Sequence, residues 1–310
     1  MMHTFYSNGK LLLSGEYLVL DGALSLAIPT KYGQSLTIEK LNESKLIWES
    51  YNYDSNLWLQ VEFDLPKLRI ISETFSFKKN SGNDSLALRL QQLLITAKKL
   101  NSKFLNTTQG YYVKTKLTFP KNWGLGSSST LINNIAQWAR IDAFALQFLV
   151  FGGSGFDIAC AQYNLPILYQ LKNSKPIISE INFEPPFKNQ LYFVHLNKKQ
   201  NSRKSIATYN RFKGNIASAV AKITSITERI VVCTDLLQFE QLLKEHEQII
   251  ASIIQQEPIQ KALFPDYFGQ IKSLGAWGGD FILATGNDDT PNYFKQKGFT
   301  TIISYSDMIL

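Results

Sequence analysis

The segment Trp123-Gly124-Leu125-Gly126-Ser127-Ser128-Ser129-Thr130 places two glycines and four consecutive hydroxyl side chains directly before the periodic apolar residues Leu131, Ile132, Ile135, Ala136 and Ala139. This is a glycine–hydroxyl loop feeding a helix N-terminus. The first turn of a helix carries backbone N–H groups without intrahelical partners and the positive end of the helix dipole. Such a loop therefore suits an anion, phosphate above all. The glycines let the backbone approach a ligand with no Cβ in the way. Read alone, the same residues also describe an ordinary helix start capped by Ser127.

Three other segments carry groups of the same kind. Ser7-Asn8-Gly9-Lys10 leads into an apolar strand and on to Ser14-Gly15-Glu16-Tyr17, Gly153-Ser154-Gly155-Phe156-Asp157 precedes Ile158-Ala159, and Leu274-Gly275-Ala276-Trp277-Gly278-Gly279-Asp280 is a second glycine-rich loop. Asp157 has two compatible readings. It is the partner of Ser154 in a capping box with Asp in place of Glu, and it is a carboxylate kept ionised by a helix N-terminus, the form that takes a proton or orients a hydroxyl. The run Lys198-Lys199-Gln200-Asn201-Ser202-Arg203-Lys204 is the densest basic cluster in the chain. It reads as a solvated loop or as a holder of a carboxylate or phosphate. His3, His195 and His246 show no metal-ligand spacing and are taken as structural.

In this order and spacing the four glycine-containing segments resemble the GHMP kinase superfamily, over nearly the whole chain. The strings from Gly9 to Ala23 and from Trp123 to Thr130 are similar to the mevalonate and phosphomevalonate kinase branch, and Gly155 to Ala159 looks like a bacterial subgroup with a Gly-Tyr-Asp-Ile-Ala motif. The resemblance implies an α+β fold of two domains, an N-terminal one like domain 2 of ribosomal protein S5 and a ferredoxin-like C-terminal one, with the active site between them. It implies ATP and Mg²⁺ as cofactors, with Gly124, Leu125, Gly126, Ser127, Ser128 and Ser129 cradling the nucleotide and Ser128 beside the metal. Asp157 and Lys10 become the catalytic pair. Lys10 would approach the attacking oxygen and the γ-phosphate, and Asp157 the acceptor hydroxyl. Glu16, Lys199, Arg203, Gly275, Gly278 and Gly279 become the acceptor-side residues.

The resemblance gives an ATP-dependent small-molecule kinase acting on a hydroxyl or phosphate of an anionic metabolite, with mevalonate and phosphomevalonate as the acceptors it points to. Two departures keep alternatives open. Trp277 interrupts the small residues of the second glycine loop, and the helix from Ala143 to Val150 lacks the carboxylate that mevalonate kinases carry there. A diphosphomevalonate decarboxylase-like enzyme and a catalytically silent binding protein of the same fold are the alternatives.

The elements that must position these groups are legible from periodicity. Residues 4–40 read as strands, including Leu18 to Leu20. Leu57 to Phe63 and Lys67 to Ser76 read as a hairpin about Pro66, and Tyr111 to Phe119 as the strand that delivers the loop. Helices are expected over 84–100 with Asp84 or Ser85 as cap, from about Ser128, over 142–151, after Ser154, and over 214–230, 235–256 and 259–273. Strands are expected at 191–196, 281–285 and 300–305. The Pro-, Asn- and Lys-rich stretch near 172–190 suggests domains of 1–178 and 179–310.

The 310 residues carry 32 Lys and Arg against 25 Asp and Glu, a net charge of +7 without an arginine-rich tail. An anionic small molecule fits this balance, and nucleic acid is not expected. No apolar run approaches the roughly 20 residues of a membrane span, and no signal peptide is read at the N-terminus. Two distant cysteines give no disulfide framework, so a reducing cytoplasm is expected; the expected assembly, a monomer or homodimer, is not fixed by the sequence.

Overall fold

The computed structural model describes residues 2–75, 86–198, 202–212, 214–275, 277 and 279–310. The chain forms two compact units whose segments interleave. Unit 1 holds residues 1–9, 32–121 and 125–162, and unit 2 holds 10–31, 122–124 and 163–310. Strands β1 (His3–Leu12) and β2 (Ser25–Leu41) run through both.

Unit 1 adds β3 (Lys45–Tyr51), β4 (Leu57–Asp64), β5 (Ile70–Phe75), α1 (Leu86–Leu100), β6 (Gly110–Leu117), α2 (Ser127–Ala139), α3 (Ala143–Val150) and α4 (Phe156–Gln162). From Gln34 onward β2 pairs antiparallel with β6. β6 lies parallel to β3, and β3–β4 and β4–β5 are antiparallel, as the hairpin about Pro66 requires. Strict alternation sends Leu46 and Trp48 of β3, Val61 and Phe63 of β4 and Val113 of β6 to one side. There they meet Leu90, Leu93, Leu94 and Ala97 of α1 and Ile132, Ile135 and Ala139 of α2 in one core. The helical spacing of those residues is the stripe the sequence shows. The expected caps Asp84 and Ser85 lie outside the described residues.

Unit 2 adds β7 (Ile167–Lys172), β8 (Lys175–Glu180), β9 (Leu191–His195), α5 (Ser202–Arg211), α6 (Ile216–Val231), α7 (Leu236–Ile254), α8 (Ile259–Leu263), β10 (Ile271–Ser273), β11 (Phe281–Thr285), α9 (Thr290–Gln296), β12 (Ile302–Ser304) and α10 (Tyr305–Met308). The start of β2 pairs with β7, which pairs with β8 across Asn173-Ser174. Both turn residues have positive φ, 51° and 58°, the geometry of a tight hairpin whose twist matches its strands. A second, fully antiparallel sheet has the order β10-β11-β9-β12. No helix among the described residues is long and apolar enough to cross a membrane.

Three expectations are corrected. Leu18 to Asp21 form a 3₁₀ turn, not a strand: the Leu20 amide donates to the Tyr17 carbonyl at 3.0 Å, and left-handed Gly22 closes the turn. The helix expected over 259–273 stops at Leu263, because Pro265 disfavours helical backbone at Phe264 before it, and the same stretch ends as strand β10. The basic run from Lys198 is not wholly a loop, since α5 begins at Ser202.

Candidate active site

The glycine loop ends as an anion-binding helix start should. Gly126, with φ 89°, is the N-cap of α2, and its carbonyl accepts the Thr130 amide at 3.0 Å. Ser127 is therefore the first helical residue and not the cap. The amides of Ser127 and Ser128 fall in the turn that has no intrahelical acceptors. The next two hydroxyls turn inward: Ser129 Oγ donates to the Gly126 carbonyl at 2.9 Å, and Thr130 Oγ1 donates to Gln34 Oε1 at 2.8 Å. Ser128 is exposed, whereas the Leu125 side chain is fully buried, so only the backbone of Leu125 is available to a ligand. Gly124, with φ 70°, has no room for a side chain, because a Cβ would lie 2.5 Å from the Asp280 carboxylate.

Beside this helix start, unit 1 opens a cleft of about 730 Å³, its mouth included. Its walls are Trp48 and Trp58 from the sheet, Leu90 and Leu93 of α1, Leu131 of α2 and Phe151. Ser127 and Ser128 stand at its end, and Arg89 and Lys121 supply positive charge. The Lys121 ammonium lies 3.4 Å from the centre of the Trp58 ring, an attraction of a cation to the ring's negative face. Among the described residues the buried Trp58 indole N–H has no hydrogen-bond partner. An apolar slot with an aromatic wall, one unused donor and the free amides of a helix start has the chemistry to hold a nucleotide. Trp58, Arg89 and Lys121 were not identified from sequence. Only Lys121, just before the loop, had a position that hinted at it.

Asp157 lies half-buried in the first turn of α4. The carbonyl of Gly155, φ 88°, accepts from the amides of Ile158 and Ala159 at 3.0 and 3.1 Å, so Gly155 and not Ser154 occupies the cap position. The capping-box frame is thus shifted, and Asp157 stands where the helix dipole favours its ionised form. Lys10 is half-buried on β1 within unit 2.

In unit 2, Glu16 is no surface lining residue. Its side chain is 1 % exposed and forms an ion pair with Lys272, which is 0 % exposed. Burial pushes the Glu16 carboxyl above its ordinary range, against the opposing pull of the Lys272 ammonium. His246 and Glu247 complete this cluster. None of its other three members was identified as functional from sequence, because Glu16 and Lys272 are 256 positions apart and nothing local marks their pairing. The adjoining Gly275 has φ 66° and open space where a Cβ would point, and Gly279 is buried. Trp277 is buried at 1 % exposure, its backbone amide donating to Tyr17 Oη at 3.4 Å. It fills unit 2's interior and does not project into an open pocket. The loop's end is tied to the basic segment: the Asp280 amide donates to the Lys198 carbonyl at 2.9 Å, and the Leu196 amide to the Asp280 carbonyl at 2.8 Å. Arg203 falls in the first turn of α5, and Lys199 and Gly278 lie outside the described residues. Among the described residues no three His, Cys, Asp or Glu side chains gather as a metal cluster.

No family model and no curated protein matches the chain. Solved structures do match in fold. A mevalonate kinase from Methanococcus jannaschii is 14 % identical, with a TM-score of 0.70 over 96 % of this chain and 94 % of its own. A Streptococcus pneumoniae phosphomevalonate kinase in complex with phosphomevalonate and AMPPNP is 14 % identical, with a TM-score of 0.66 over 99 % and 98 %. A Lactococcus lactis galactokinase complexed with galactose is 12 % identical, with a TM-score of 0.64 over 95 % and 88 %. The chain therefore has the mixed α+β fold of these kinases from end to end.

Proposed function

We propose that the protein is an ATP-dependent small-molecule kinase of the GHMP type. The observation that carries this reading is the unit 1 cleft, where an aromatic slot ends on the amides of Ser127 and Ser128 at the start of α2. Trp58 would face the base and offer its unused N–H, Lys121 and Arg89 would offset charge, and the helix start would hold the phosphates. Mg²⁺ would be held by the Ser128 hydroxyl together with phosphate oxygens and water, in the manner usual for that ion, and would offset phosphate charge; among the described residues no carboxylate cluster competes for it.

ATP supplies the γ-phosphoryl group. In the transfer, the bond from the acceptor oxygen to the γ-phosphorus forms as the bond to the β-phosphate oxygen breaks, and ADP leaves. Asp157 takes the proton when the acceptor is a hydroxyl and passes it to solvent. Lys10 offsets the charge that builds on the transferring group. ATP with Mg²⁺ at 100 times its dissociation constant should stabilise the fold by about 2.7 kcal/mol, read as a rise in melting temperature. Gly126→Val should abolish the rise, because its side chain would occupy phosphate space. Trp58→Ala, which leaves the loop backbone alone, should diminish it. A full ATP shift in both folded variants overturns the assignment of the cleft.

The acceptor is proposed to be an anion held through Lys199 and Arg203. The phosphomevalonate complex of the S. pneumoniae enzyme supports this. A charge-assisted contact is worth about 1.5–3 kcal/mol, so Lys199→Ala or Arg203→Ala should raise the acceptor KM about tenfold or more. A neutral sugar as the best acceptor, or unchanged KM in both variants, overturns this choice.

A further inference from the structure

Three elements of unit 2 meet at four side chains, of which Glu16, Glu247, His246 and Lys272 are 1 %, 2 %, 0 % and 0 % exposed. The contacts form a closed circuit. His246 Nε2 accepts the Gly15 amide at 3.0 Å and lies 3.2 Å from Glu16 Oε2. Glu247, the next residue on α7, accepts the Ser273 amide at 3.0 Å on Oε1, and its Oε2 lies 3.5 Å from Ser273 Oγ. Lys272 closes the circuit, its ammonium donating to Glu16 Oε1 and to the Ser273 carbonyl.

The protonation states follow from the same geometry. Since Nε2 accepts the Gly15 hydrogen, the neutral ring carries its proton on Nδ1. Burial and the nearby Lys272 charge keep the His246 ring neutral. Among the described residues Nδ1 has no partner, and a buried donor left unpaired is destabilising. The ring is thus retained at a cost, and its visible work is to hold the Gly15 amide. Burial pushes the Glu247 carboxyl up to about 8, so at neutral pH it too is an uncharged acceptor.

Neither residue of α7 has surface to offer a ligand. Each instead grips a segment that continues outward. His246 holds the turn Gly15–Tyr17. Glu247 holds the end of β10, a three-residue edge strand that runs straight into Leu274–Asp280. Tyr17 and Trp277 are joined again by the bond from the Trp277 amide to Tyr17 Oη.

We infer that His246 and Glu247 are positioning residues that set the Gly15–Tyr17 turn and the Leu274–Asp280 loop in one register through consecutive side chains of α7. The link to turnover rests on the proposed kinase reading, in which both segments serve the acceptor.

The test compares the intact wild-type chain with Glu247→Ala, Glu247→Gln and Glu247→Asp. Gln reproduces the uncharged group, with a carbonyl to accept the Ser273 amide and an NH₂ where the protonated carboxyl has its O–H. Asp keeps the carboxyl but falls one methylene short, and it replaces Ala in the comparison if Ala does not fold. Amide hydrogen exchange is read first, because it needs no activity. In Glu247→Ala, or in Asp in its place, exchange should quicken at Ser273–Asp280 and also at Gly15–Tyr17, with Gln restoring both. Steady-state kinetics then should show the acceptor KM raised about tenfold, the loss of one hydrogen bond's worth of ordering, with a smaller change for ATP. Quickened exchange confined to the β10 side, or Gln failing to restore protection, overturns the inference. A wild-type chain without kinase turnover on any acceptor sinks the functional reading alone, and the exchange result still decides the coupling. Altered exchange in both segments with an unmoved acceptor KM removes the catalytic relevance and overturns the positioning role.

Discussion

Replacing Asp157 by Asn is expected to lower turnover by about 100-fold to 10,000-fold, the usual cost of losing a general base. Affinity for ATP should change little. Asn keeps the side-chain shape and tolerates the first turn of α4, so the fold around Gly155 is retained. What it loses is the ability to accept a proton. Gly155, and not Ser154, closes the first hydrogen bonds of α4, so helix capping does not require the Asp157 carboxylate in the frame a capping box would use. A chain that folds, gives the ATP-induced stabilisation and yet phosphorylates nothing at the wild-type rate is the expected phenotype. If Asp157→Asn keeps most of the turnover, the carboxylate is a helix-end charge and the catalytic assignment is wrong.

How much of this was legible in the sequence depends on the range of the interactions. Four consecutive hydroxyls and two glycines put a helix start at about Ser128 with Ser127 as its cap, and the structure moves both by one residue, to Ser127 and Gly126. α3 was read as running from Asp142, and Asp142 caps it by accepting the Phe144 amide at 2.9 Å. These are local effects, set within one turn of chain. The Leu18–Leu20 run misled because three apolar residues fit a strand and a 3₁₀ turn equally. Tyr17 with φ 63° decides for the turn, and nothing in the type of residue 17 announces that angle. The interleaving of the two units along β1 and β2 leaves no mark in composition either, since each strand passes from one unit to the other without a break, β1 at Gly9–Lys10 and β2 at Lys31–Tyr32. The cleft by Trp58 was missed for a related reason. Trp58, Arg89 and Lys121 come from separate elements, and only the pairing of β3 with β4 and the packing of α1 bring them to Ser127.

The buried cluster is the limiting case, and it supports the largest expected effect on stability. Lys272→Met removes the ammonium that faces Glu16 and leaves a carboxyl with 1 % exposure against a neutral imidazole. Breaking a buried pair from one side costs about 3–5 kcal/mol, because the remaining charge has neither water nor partner. The pH dependence gives the argument its sign. Burial already holds the Glu16 carboxyl above its ordinary range, and the Lys272 ammonium is the largest opposing influence, so the variant's folded state binds that proton still more tightly. The unfolded chain ionises near the ordinary value of 4.5. A group favoured in its protonated form on folding contributes its stability below that value and loses it as pH rises toward the folded one. Lys272→Met should thus lie closest to wild type near pH 5 and fall behind it increasingly toward neutral and alkaline pH. Glu247, which also faces Lys272 and Glu16, shifts in the same direction and steepens the trend. Glu16→Gln in the Lys272→Met background removes the stranded charge and should recover a large part of the loss. Urea midpoints of the two single variants and the double, taken at two pH values, measure the coupling directly. Additive losses that do not depend on pH would mean that Glu16 and Lys272 act independently, and that the circuit joining the Gly15 turn to β10 has no electrostatic link.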